Sequence, residues 1–87
     1  PRFRTMIYKA SIKSFGKIYE GKGKSVKEAI EDIKSEWPIK GVSLLIVSKD
    51  KEQREKILNA RQTFYLFNGG RVMREVAIKN LTTMFDL

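Results

Sequence analysis

At 87 residues the chain is the size of one small domain, and a hydrophobic fraction of 41% with 10% aromatics supports a single modest core. It has no cysteine and no histidine, which excludes disulfides, thiolate and imidazole metal sites, thiol nucleophiles and histidine-based catalytic relays. Eighteen Lys and Arg against ten acids leave a net charge of +8, which favours polyanionic partners.

That excess is concentrated at the start of the chain. Residues 1–27 carry eight basic side chains opposed by Glu20 alone, whereas residues 28–87 carry ten basic and nine acidic ones. Such asymmetry points to a contact with nucleic acid or another acidic surface. Val42–Val47 is the longest apolar run, and Ser43 interrupts it. It is too short to span a bilayer, and Pro1–Ala10 alternates polar and apolar residues instead of forming a secretion signal. No membrane partner and an intracellular, cytoplasmic setting are therefore expected.

From Arg4 to Ser14 the even positions Met6, Tyr8, Ala10 and Ile12 are apolar, a period of two that predicts a half-buried strand. Phe15-Gly16 predicts a tight turn, and Lys17–Gly23 a returning strand that sets Ile12 opposite Tyr19 and Lys13 beside Ile18. Lys9, Lys13 and Lys17 would then line the solvent side of one hairpin. Ser25-Val26-Lys27-Glu28 is a capping box, and Val26, Ala29, Ile30, Ile33 and Trp37 follow at helical spacing until Pro38 stops the helix. Leu44-Leu45-Ile46-Val47 reads as a strand covered on both faces.

Residues 50–58 allow two readings. Asp50–Arg54 can form a turn before a short strand at Glu55–Leu58, with Asn59 and Gln62 capping a short helix that ends at Asn68-Gly69-Gly70. Alternatively, Asp50 caps one helix to Phe67, through Ile57, Ala60 and Phe64. The first is preferred. Phe64, Tyr65 and Phe67 are expected in the core, with Tyr65 projecting differently. Arg71–Phe85 closes the pattern as an amphipathic helix with Met73, Ala77, Leu81 and Met84 inward and Arg71, Arg74, Glu75 and Lys79 outward. The fold class is α+β, one domain over residues 1–87. It combines a small antiparallel sheet of three or four strands, a capped helix after the first hairpin, and one or two C-terminal helices.

Gly21-Lys22-Gly23-Lys24-Ser25 leads into a helix start, where unpaired amides and flanking lysines suit a phosphate. Gly16 to Lys22 has the spacing of a phosphate-binding loop, but Gly23 stands where the magnesium-binding hydroxyl belongs. Phe15, at the hairpin tip, is expected to fold back over the sheet edge, with stacking on a base as the alternative. With its lysine-bearing strand through Ile12, its Gly16-Lys17 turn and the basic run into Lys27, Tyr8–Ile33 resembles the strand–strand–helix half of a double-stranded-RNA-binding domain. That resemblance implies phosphate contacts across an RNA duplex by Lys22, Lys24 and Lys27, reading shape rather than sequence.

An amino-terminal proline is the base in small tautomerases, but a hairpin before the first helix does not suit that architecture. No catalytic residue, metal or cofactor is expected. The reading is a small basic protein that contacts the phosphates of RNA, ahead of DNA, through Lys9, Lys13, Lys17, Lys22, Lys24 and Lys27, with low sequence specificity. The alternative is a viral or ribosome-associated assembly module with a protein partner, docking by its basic face or terminal helix.

Overall fold

The computed structural model describes residues 5–14, 16–33, 42–68 and 71–86. Strands β1 (Thr5–Ser14) and β2 (Lys17–Gly23) pair antiparallel, with Ile12 opposite Tyr19 and Lys13 opposite Ile18 as the alternation predicts. Gly16 adopts a φ of +80° in the connection, a conformation that residues with a Cβ resist.

Helix α1 (Val26–Glu31) begins at Ser25, whose Oγ accepts the Glu28 amide at 3.1 Å. The same hydroxyl donates to Glu28 Oε2 at 3.5 Å, so the capping box closes through the two side chains. The helix ends at Glu31, with Asp32 as its C-cap and Ile33 already outside it, short of the predicted run to Trp37; Trp37 and Pro38 themselves lie outside the described residues.

Strands β3 (Val42–Gln53) and β4 (Lys56–Asn68) form a long hairpin, and α2 (Arg71–Asp86) follows it. The sheet is antiparallel throughout, in the order β2-β1-β3-β4. With two helices this is the α+β fold read from the sequence. No helix among the described residues is long and apolar enough to cross a membrane.

The second hairpin bears out the preferred reading of residues 50–58 as a hairpin and corrects the helix expected after it. Its turn is Arg54-Glu55, and a thirteen-residue strand replaces the predicted short helix from Asn59. Asn59 pairs with Asp50 and Gln62 with Ser48, so cross-strand pairing takes the place of the capping box. Lys49 pairs with Arg61 while Asp50 pairs with Asn59. Ala60 is therefore the extra residue of a β-bulge, and the alternation in β4 changes phase there. That phase change hid the strand.

Side-chain alternation separates two unlike faces. On one, Ala10, Ile12, Leu45 and Val47 are fully buried beneath Ala29 and Ile30 of α1 and Ala77 and Leu81 of α2. Burying a side chain such as Ile12 or Leu45 stabilises the fold by about 1.5–3 kcal/mol. In α2, Phe85 occupies the inward place expected of Met84, which is exposed; Met73 lies outside the described side chains. Tyr65 packs against the core.

The other face has no helix on it among the described elements. Leu44 and Ile46 are half-buried there, and Ile18, Phe64 and Leu66 are 59%, 57% and 69% exposed. The expectation that Leu44–Val47 is covered on both faces is thus met on one. Phe64, expected in the core, is outside it because a strand sends Phe64 and Tyr65 to opposite sides. Phe67 lies outside the described side chains.

Ile12→Ala is expected to cost about 2–5 kcal/mol, read as a lower urea midpoint. Ile46→Ala should cost less than half as much in dilute solution; equal losses would show that both faces are core. Arg54 and Glu55 hold φ values of 47° and 65°, which asparagine and glycine accept more readily. Arg54→Asn with Glu55→Gly should therefore raise stability by about 1 kcal/mol. An unchanged or lower melting temperature would refute strain at this turn.

Candidate nucleic-acid interface

The six lysines singled out by sequence do not share one surface. Lys9 and Lys13 occupy odd positions of β1 and face away from the helices, and Lys22 joins them as the partner of Lys9. Lys17 pairs with Ser14, so it falls on the side of Tyr19, contrary to the expected row with Lys9 and Lys13. Lys24 and Lys27 flank the start of α1, on the helix side. Phe15 lies outside the described residues.

Charge on the helix-free face cancels. Alternation places Glu20, Asp50 and Glu52 there with Lys9, Lys13 and Lys22. Lys9 Nζ lies 3.6 Å from Oδ2 of the buried Asp50, and Ser48 Oγ donates to the same oxygen at 3.4 Å. Three cations against three acids make a neutral surface, not a track for a polyanion.

The Gly21–Ser25 segment is also used differently from its reading as a phosphate cradle. Gly21 and Gly23 face α1, whose backbone lies directly over them. A Cβ on Gly21 would come within 2.7 Å of Ile33 N, and one on Gly23 within 2.7 Å of Ala29 N. The Lys22 amide donates to Asp32 Oδ2 at 3.0 Å, and the Glu28 amide is held by Ser25. These glycines let a helix approach a strand.

Cations gather on the other side of the sheet. A groove of about 310 Å³ separates the start of α1 from the last turns of α2, lined by Tyr8, Lys24, Ser25, Lys27, Thr82 and Phe85 among others. Tyr8 and Phe85 meet edge to face, with ring centroids 5.5 Å apart at 87°. Lys49 Nζ sits 5.9 Å from the Tyr8 centroid, and the Arg61 guanidinium sits 5.8 Å from that of Phe85. Lys49 and Arg61 are cross-strand partners, and Lys51 follows on the same face, opposite Met6 and Leu58.

Lys24, Lys27, Lys49 and Arg61 thus surround a Tyr8–Phe85 pair, and Lys51 is the next cation along the same face. Asp86 is the one acid lining the groove among the described residues. Two of the five were identified from sequence. Lys49, Lys51 and Arg61 were missed because they belong to the half of the chain whose charges balance. Their signal is the order Lys49-Asp50-Lys51-Glu52, since a strand sends its cations to one face and its acids to the other.

Bringing five cations together costs mutual repulsion, which solvent and the two rings moderate and a bound polyanion would relieve. Among the described residues, no three acidic side chains come together in a way that could hold a metal ion. Comparison with protein families, curated proteins and solved structures finds no match for this chain.

Gly21→Ala is expected to lower stability by about 1–3 kcal/mol through overpacking against α1, with Lys22→Ala within about 0.5 kcal/mol of the unsubstituted chain. A Gly21→Ala protein of unchanged melting temperature that had no anion binding would restore the cradle.

Proposed function

We propose that the protein binds nucleic acid through its phosphate backbone, with low sequence specificity. The observation that carries this reading is the bay in which Lys24, Lys27, Lys49 and Arg61 encircle Tyr8 and Phe85, with Lys51 next along the same face and Asp86 the one acid lining the groove among the described residues. Lysines at a groove rim act as point charges on phosphate oxygens, and each phosphate neutralised releases condensed counterions. Arg61 alone of the five carries a rigid fork of donors, and it is engaged over the Phe85 ring. Affinity therefore comes from backbone charge and not from reading base edges.

RNA is placed ahead of DNA on the resemblance of Tyr8–Ile33 to half of a double-stranded-RNA-binding domain. Of the three lysines that it implies, Lys24 and Lys27 belong to the bay and Lys22 lies on the opposite face. Such a ligand implies an intracellular setting. Catalysis is not part of this proposal.

Two triple variants test the site. Lys24, Lys27 and Lys49 changed to Gln remove three charges from the bay, and Lys13, Lys17 and Lys22 changed to Gln remove three from outside it. The first should make the log–log salt slope shallower by roughly two to three units, at about 0.7–0.9 for each phosphate no longer neutralised. The second should shift binding mildly through the general field. Binding of a short RNA, followed by fluorescence anisotropy across a salt series, is the measurement. Equal effects of the two triples, or no binding by the unsubstituted chain at low salt, would overturn the reading.

A further inference from the structure

We propose that a second copy of this chain packs against the helix-free face of the sheet, covering Phe64, Leu66, Ile18, Leu44 and Ile46 in an isologous dimer. The molecule is 45 × 26 × 16 Å, and among its described elements one sheet carries one layer of helices. A monomer of 10.1 kDa is expected to expose roughly 5,300 Å², whereas this chain exposes 6193 Å². The surplus of roughly 900 Å² is about what one partner buries in a standard interface.

The register places several exposed apolar side chains together on the helix-free face. Leu44 pairs with Leu66 and Ile46 with Phe64, and Ile18 lies in the row of Lys13 and Leu44. Leu44, Ile46, Phe64 and Leu66 form one apolar block, with Ile18 beyond Lys13 in the same row, of a kind that marks interaction sites on small proteins. Strand β3 contributes to both faces, with Leu45 and Val47 under the helices and Leu44 and Ile46 opposite. Apolar residues on both sides are the pattern of a strand with two covered faces.

Charge selects the occupant. The cations and acids of this face, Lys9, Lys13 and Lys22 against Glu20, Asp50 and Glu52, balance. A neutral surface of mixed sign around an apolar block complements a copy of itself, whereas a polyanion or an acidic protein is better matched by the bay. Stacking of faces is favoured over pairing along the β4 edge, because the bulge at Ala60 interrupts that edge with Lys56 and Arg61 close by. Two sheets stacked in this way turn both cationic bays outward. On the nucleic-acid reading, one dimer would then hold two backbone segments and gain avidity without new contacts.

The test is the mass of the full chain in solution without nucleic acid, by sedimentation equilibrium at about 0.3 M salt, where repulsion between +8 chains is screened. The expected result is twice the 10.1 kDa chain mass at roughly 100 µM, with a melting temperature that rises with protein concentration. Phe64→Glu with Leu66→Glu replaces exposed side chains and should give a folded monomer whose melting temperature is independent of concentration. Circular dichroism checks its fold. A monomeric unsubstituted chain at that concentration overturns the proposal, as does a dimer that survives both substitutions. A monomeric chain whose RNA affinity falls tenfold in the double variant would also overturn it and make this face a nucleic-acid surface. Salt separates this test from that of the bay, since it weakens phosphate contacts and favours the dimer.

Discussion

Helix α1 lies on β2 where Gly21 and Gly23 present no side chain to it, and much of the molecule depends on that approach. Gly21 and Gly23 remove the Cβ atoms that would hold the two backbones apart, and Asp32 anchors the end of the helix to the Lys22 amide. A six-residue helix has little stability of its own, so its position is set by these contacts and by Val26, Ala29, Ile30 and Ile33 in the core. Its start is thereby fixed beside Tyr8, which places Lys24 and Lys27 on the rim of the groove. A bulkier residue at Gly21 would move the cationic bay as well as the helix.

The second organising feature is the sorting of charge by strand parity. Along Lys49-Asp50-Lys51-Glu52 the net charge is zero, yet each face receives one sign. The acids join Lys9 on the helix-free side, where Asp50 is buried and ion-paired. The cations join Tyr8, Arg61 and the α1 lysines on the other side. A linear tally of charge therefore assigned the basic surface to residues 1–27, while three of its five members come from the neutral half. Folding concentrates charge that the sequence spreads.

Where local chemistry decides structure, the sequence was legible. The first hairpin, its register and the Ser25 cap follow from alternation, a glycine and a hydroxyl, all short-range signals. The α2 stripe was legible to within one residue, with Phe85 in the place of Met84. Strand β4 was obscured by two tertiary effects. The bulge at Ala60 breaks the period of two, and apolar Phe64 and Leu66 on the helix-free face erase the polar half of the alternation. With both signals gone, Ile57, Ala60, Phe64 and Phe67 matched a helix as well as a strand. Of the site, Lys24 and Lys27 were visible through the basic cluster. Lys49, Lys51 and Arg61 needed the register.

The bay draws Tyr8 from β1, the lysines of the α1 start, Lys49 from β3, Arg61 from β4 and Phe85 from α2. No contiguous stretch of the chain carries it, so the unfolded chain offers an anion scattered charges and no site. Any ligand gripped there therefore favours the folded state, by RT ln(1 + [L]/Kd) where it has no affinity for the unfolded chain. For a domain with so small a core that linkage is large, since a hundredfold excess over Kd adds about 2.7 kcal/mol. With such a ligand, occupancy of the bay and foldedness would be thermodynamically coupled, and half-life in the presence of proteases would depend on how much ligand surrounds the protein.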